Sequence, residues 1–218
     1  MSRSTAVVLL SGGLDSVVAA AMWLDRGEAI GRCLSFDYGQ GAREREIACA
    51  ERFAKARGLP FERVSLPWLR GLAEQAGCGL VGDPAQLPAG TAAAPGDADS
   101  AAAVWVPARN AVFVSIAAAY AEAWGAQVVV AGFNREEAET FADNSEAFVA
   151  AANEMLQFGT RTEVRVESPT IGLDKKQIVA AARRLGVTRA ELWSCYRSGP
   201  VPCGRCESCL RSDAAWGA

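Results

Sequence analysis

Histidine is missing altogether from the 218 residues. Its absence excludes imidazole as a general base, every catalytic triad built on one, and every zinc site that uses an imidazole nitrogen. Acid–base work falls to carboxylates, lysine, tyrosine, water or a substrate amine. No run of about twenty apolar residues occurs either, so no membrane-spanning helix is expected. The first residues show no basic stretch leading into an apolar one, and the chain reads as cytoplasmic. An excess of charge is also lacking, since 22 Lys and Arg stand against 25 Asp and Glu, a net −3. That balance argues against broad electrostatic binding, and no stable nucleic-acid partner is expected. Nor do the cysteines form an even set. Seven of them, in a chain of cytoplasmic character, argue against a disulfide framework.

Half of the residues are apolar, enough for one sizeable α/β core with a small appendage. Apolar runs at 6–10, 30–36, 60–65, 127–131 and 163–166 alternate with helical patterns at 14–25, 42–57, 68–75, 111–124, 146–158 and 175–185. The alternation predicts a parallel sheet with helices on both faces. Residues 79–103 are rich in Gly, Ala, Pro and Asp without periodicity, and read as a long loop of the kind that often serves as a lid. No internal repeat or domain linker is apparent. The division expected is a main domain over 1–190 and a small cysteine element over 191–218.

Two places carry chemistry. Ser11-Gly12-Gly13-Leu14-Asp15-Ser16 lies between the first strand and the first helix. Two glycines let the backbone approach a ligand, two hydroxyls add donors, and the helix start offers free N–H groups to an anion. Such a turn suits phosphate or pyrophosphate. It lacks the lysine and spacing of the P-loop, and it is not a dinucleotide fingerprint. The second place is Cys195, Cys203, Cys206 and Cys209, spaced C-x7-C-x2-C-x2-C among Gly and Pro turns. Four thiolates so spaced suit a closed, structural tetrahedral zinc, with [4Fe–4S] as the rival. Cys33 and Cys49 read as small buried hydrophobes, and Cys78 as a thiol open to solvent beside a glycine-rich stretch. Arg109 near a helix start can bind phosphate, as can Lys175 or Lys176 after the capping residue Asp174. Glu136, Glu137, Glu139 and Asp143 form a carboxylate-dense stretch read as mostly solvated, with one or two at the carboxyl end of a strand able to meet a polar base edge.

The loop resembles the PP-loop of the N-type ATP pyrophosphatases. The ordered series SGGLDS, FDYGQ, VWVPARN, GFN…TFADN, ESP…LDKK and SCY…CGRCESCLR resembles the 7-cyano-7-deazaguanine synthase family from about residue 5 to 212, closest to its archaeal-type branch. The resemblance implies an adenine-nucleotide-hydrolase-like, Rossmann-like fold. It implies conversion of 7-carboxy-7-deazaguanine and ammonia to the nitrile preQ0, with ATP and Mg²⁺, through adenylated intermediates and an amide. It further implies a queuosine or archaeosine role, structural Zn²⁺ on the four cysteines, and a homodimer, with Trp193 or Trp216 as candidate interface residues. Carried over by motif, Leu9, Leu10, Ser11, Gly12, Gly13, Leu14, Asp15 and Ser16 form the ATP segment. Asp15, Ser16, Arg109 and Lys175 take catalytic roles, and Tyr38, Gln40, Asn134 and Asp143 contact substrate or adenine. Two departures stand out. Gly41-Ala42 follow Gln40 where the family commonly has Arg-His, and Ala142 stands where proline is usual. They leave room for a relative that stops at the amide, or joins the activated base to a protein amine. A tRNA thiolase or lysidine-type ligase would require a basic face or a catalytic cysteine pair, and an inert zinc-ribbon module would not require an intact SGGLDS loop.

Overall fold

The computed structural model describes residues 5–82, 87 and 98–217. Five parallel strands form one sheet in the order β3-β2-β1-β4-β5. They are β1 (Thr5–Leu9), β2 (Ala29–Asp37), β3 (Phe61–Ser65), β4 (Val128–Val130) and β5 (Arg165–Glu167). The helices are α1 (Leu14–Asp25), α2 (Arg43–Ala56), α3 (Pro67–Gln75), α4 (Ala98–Ala103), α5 (Arg109–Trp124), α6 (Arg135–Ala138), α7 (Glu146–Gly159), α8 (Lys175–Arg184) and α9 (Glu207–Trp216).

A strand buried on both faces needs apolar side chains without alternation, and β1 and β4 supply them. Ala6 and Val8 point to a core formed with α1, α2 and α8, while Val7 points to the core on the opposite face with α3, α5 and α7. Val128, Val129 and Val130 repeat this division in β4 and are wholly buried. The sheet is therefore covered by helices on both faces, as the alternation of runs predicts.

Strand order reverses between β1 and β4. Connections leaving β1 run outward through β2 to β3, and the chain then returns to pair β4 on the other side of β1. The carboxyl ends of strands flanking such a reversal diverge and leave a crevice where α/β proteins bind ligands. The loop at 11–16 and the segment at 131–134 border it. Two expectations change here. Residues 98–103, assigned to a structureless loop, form α4, because an alanine-rich run is a good helix former. The remainder of that loop, including any role as a lid, falls largely outside the described residues. Cys78, expected to be open to solvent, is buried beneath Leu80 and Val81 in the α3-side core.

Candidate active site

A cavity of about 320 Å³ occupies this crevice, within the range that holds a small ligand. Its floor is the 11–16 turn. Leu9, Leu10, Ser11, Gly13, Leu14, Asp15 and Ser16 line it, whereas Gly12 packs away from it against α2. Gly12 has φ +83°, and a Cβ there would lie 2.1 Å from the Glu46 carbonyl oxygen. Only glycine fits both the turn and the helix behind it. Gly132 solves the matching problem across the crevice, since a Cβ there would lie 2.6 Å from the Ser16 amide nitrogen. The end of β4 can therefore sit directly against the first turn of α1. The serines hold the turn: the Ser11 and Ser16 hydroxyls lie 2.9 Å apart, the Ser11 amide donates to Ser16 Oγ at 3.1 Å, and Ser16 Oγ donates to the Gly13 carbonyl at 3.2 Å.

Asp15 meets a cation. Lys175, the first residue of α8, places Nζ 2.6 Å from Asp15 Oδ2 and 3.0 Å from Glu137 Oε1. Its position follows from local sequence, because Asp174 caps α8 through a full capping box with Gln177. Burial alone would favour neutral lysine, but Asp15 and Glu137 outweigh it and hold the ammonium well above the usual lysine range. Burial pushes the Asp15 carboxyl up, opposed by Lys175. For Glu137 the balance reverses: burial would raise it, and Lys175 with Arg211 holds it below the usual range. Asp15 Oδ1 is buried with no hydrogen-bond partner among the described residues. Lys176, the alternative, is exposed.

Arg109 is the first residue of α5, following Ala108 at φ +52°. A left-handed alanine costs on the order of 1–2 kcal/mol, and here it starts the helix where Arg109 and Asn110 border the cavity. Arg109 donates to Tyr38 Oη at 3.5 Å, and Asn110 donates to the Asp143 carbonyl at 3.2 Å. Burial raises the Asp143 carboxyl, opposed by Arg109, and raises the Tyr38 phenol. Gln40 is committed within the chain: Oε1 accepts from the Tyr38 amide at 3.1 Å, and Nε2 donates to the Phe36 carbonyl and to Glu46 Oε2, each at 3.0 Å. Asn134 caps α6 by accepting from the Glu137 amide at 2.9 Å, and its buried Nδ2 has no partner among the described residues. All of the residues that the resemblance assigns to ATP, catalysis or substrate, other than Gly12, thus line one cavity. Aromatic walls complete it: Phe36 stacks on Phe113 at 4.2 Å and Trp105 on Phe141 at 6.2 Å between ring centres.

Three cavity residues escape the sequence reading. Glu137 was grouped with solvated carboxylates, yet it is the second partner of Lys175. Glu46 lies in the helix expected over 42–57 and carries no role in that reading, but its carboxyl lines the cavity, where burial lifts it to about 7 against the Gln40 hydrogen bond and the charge of Arg109. Arg211 follows the cysteines and reaches the cavity from α9.

The four cysteine sulfurs lie within 4.8 Å of one another, close enough to hold one metal ion. Cys203 Sγ is 3.9 Å from Cys209 Sγ, and Cys206 Sγ is 4.0 Å from Cys195 Sγ. The Cys206 thiol, with the amides of Arg197 and Cys203 that point at Cys195 Sγ, lowers the Cys195 thiol against the effect of burial. Cys33 and Cys49 are buried as expected. Trp193 is buried within the chain against the cysteine cluster, and its amide donates to the Gly12 carbonyl at 3.0 Å.

The family model described as queuosine biosynthesis protein QueC matches residues 5–218. A 7-cyano-7-deazaguanine synthase of Pelotomaculum thermopropionicum is 47% identical over 209 residues, covering 94% of this chain and 93% of that protein. The protein of the same name from Methanothermobacter thermautotrophicus is 39% identical, covering 97% of this chain and 93% of its own length. Among solved structures, a U34-tRNA thiolase from Methanococcus maripaludis with its [4Fe–4S] cluster matches 99% of this chain and 65% of that one, at TM-score 0.54 and 16% identity. An NMN synthetase from Francisella tularensis covers 99% and 84%, at TM-score 0.52 and 14% identity. At such identities the two structures share the fold alone.

Proposed function

The chain belongs to the QueC family of queuosine-biosynthesis proteins, and from that membership we propose that it converts 7-carboxy-7-deazaguanine to 7-cyano-7-deazaguanine with two ATP and ammonia. The observation that carries the reading is the pairing of Lys175 with Asp15 across the mouth of the 11–16 turn, beside an aromatic-walled cavity. The turn and the cation suit a leaving pyrophosphate, and the aromatic walls suit a flat heterocycle.

The chemistry requires no histidine. A carboxylate oxygen attacks the α-phosphorus of ATP and pyrophosphate leaves. Ammonia then attacks the acyl carbon, AMP departs with that oxygen, and a proton is lost to give the amide. A second adenylation, on the amide oxygen, makes it a leaving group, and loss of AMP and a proton leaves the nitrile. Orientation and stabilised phosphate charge do most of the work. Ser11, Gly13 and Ser16 would hold pyrophosphate, and Lys175 and Arg109 would offset its charge. Four carboxylates (Asp15, Glu46, Glu137, Asp143) and three cations (Arg109, Lys175, Arg211) line the cavity. A triphosphate entering so nearly balanced a site needs a cation of its own, and Asp15 would hold Mg²⁺, which would offset the phosphate charge. Tyr38, Asn134 and Asp143 are proposed to contact the base, with Gln40 bracing Tyr38 and Glu46.

Zinc is proposed for the cysteines. A single tetrahedral ion with Zn–S near 2.3 Å separates its sulfurs by about 3.8 Å, close to the two distances above. A four-iron cube binds each thiolate to a different iron and spreads the sulfurs further. Metal analysis is expected to find one zinc per chain and no iron–sulfur colour. The proposed reaction is tested by incubating the protein with ATP, Mg²⁺, ammonium and 7-carboxy-7-deazaguanine. Mass spectrometry should find the nitrile and two AMP per product. Accumulation of amide alone would favour the amide-forming or protein-conjugating relative, and no AMP release would contradict the reading.

A further inference from the structure

Behind Lys175 the ion pairs continue into the cysteine element. Glu137 Oε1 receives Lys175 Nζ at 3.0 Å and Arg211 Nη1 at 3.4 Å, and Arg211 Nη2 lies 2.8 Å from Glu207 Oε1 one turn earlier in α9. Arg211 and Glu207 are 14% and 12% exposed, so this chain of charges is largely withdrawn from solvent. Three elements distant in sequence meet in it: α6 brings Glu137, α8 brings Lys175, and α9 brings Arg211. Cys206 caps α9 and Cys209 lies in its first turn, so the cysteine cluster fixes where Arg211 stands. Arg211 Nε is buried without a partner among the described residues.

We infer that Arg211 is a positioning residue of the nucleotide site: it fixes Glu137, and through Glu137 the Lys175 ammonium that faces the 11–16 turn. The cysteine element is thus part of the active site and more than a cap on the fold. Glu137 has two cationic partners that hold its carboxylate in one place. With Arg211 gone, Glu137 is free to turn with Lys175, and the ammonium moves away from the phosphate position.

The inference rests on the cavity being an ATP site. Calorimetric titration of the metal-loaded protein with MgATP tests it, on wild type, Arg211→Gln, Arg211→Lys, Glu137→Gln and the double variant Arg211→Gln with Glu137→Gln. Arg211→Gln should weaken binding about tenfold with wild-type metal content and melting temperature, and Arg211→Lys should recover most of the loss. In the Glu137→Gln background the same change should cost less than about threefold, because its intermediary is already gone. Equal binding by wild type and Arg211→Gln overturns this inference alone. So does the full tenfold loss persisting without Glu137, which means direct contact with phosphate, or loss of metal from Arg211→Gln, which means a structural role. Wild type failing to bind MgATP overturns the ATP site and the inference together.

Discussion

Lys175 is held by two carboxylates on a helix start, at 2.6 and 3.0 Å, and so few rotamers remain open to it. A cation fixed in advance costs no reorganisation when charge develops on a departing phosphate, and removing one such group typically costs about 10²–10³ in rate. Lys175→Met should therefore lower kcat/KM for ATP by about that factor, while Lys176→Met at the exposed neighbouring position should leave it unchanged. Steady-state kinetics with ATP varied decides it. Glu46 makes a second case. Its carboxyl rises to about 7 in the fold from an ordinary 4.5. Between those values the folded state binds more protons than the unfolded one, so this contribution to stability is complete below about pH 4.5 and is lost as pH rises through about 7. The melting temperature of wild type should accordingly fall more than that of Glu46→Gln between about pH 5 and pH 8. Parallel curves would contradict the buried carboxyl. Lys175 was legible in sequence because a cap fixes it locally. Its partner Glu137 and the half-buried Glu46 were not, because a carboxylate in a polar run looks the same whether it faces solvent or folds inward.

At the scale of elements, the site depends on how closely backbones approach. The first turn of α1 lies against the end of β4 only because residue 132 has no side chain; an added Cβ would sit 2.6 and 2.7 Å from Ser16 backbone atoms. Backbone cannot yield as a flexible side chain does, so Gly132→Ala should destabilise the fold by about 3 kcal/mol and displace the loop. Gly125→Ala provides the comparison. Gly125 has φ +70° but nothing within 4 Å, so only backbone strain of about 1 kcal/mol is expected. Urea melts of the two variants measure the difference. The strands, α1, α2, α5 and α8 were legible from apolar periodicity and caps. Helix α9 was not, since Cys206 and Cys209 read as metal ligands and mask the helical pattern of 207–216. The dual role of Gly132, with a partner more than a hundred residues away, leaves no local signal.

Across the whole molecule, one crevice gathers side chains from both ends of the chain. The reversal of strand order between β1 and β4 creates the crevice, the 11–16 turn forms its floor, α5 contributes Arg109, and the cysteine element closes the far wall with Trp193, Tyr196 and Arg211. The architecture and the two motifs were readable because each is written in a short contiguous stretch. The wall made by the cysteine element was not, because Arg211 and Glu137 are 74 residues apart and meet only through the packing of α6 and α9. The central claim is that both oxygens of the substrate carboxylate are made into leaving groups by adenylation in this crevice. It is tested most directly with 7-carboxy-7-deazaguanine carrying ¹⁸O in both carboxylate positions, with mass spectrometry of the nucleotide products. Two AMP molecules per nitrile, each carrying one ¹⁸O, are predicted. Label released to water or retained in pyrophosphate, with unlabelled AMP, would contradict it.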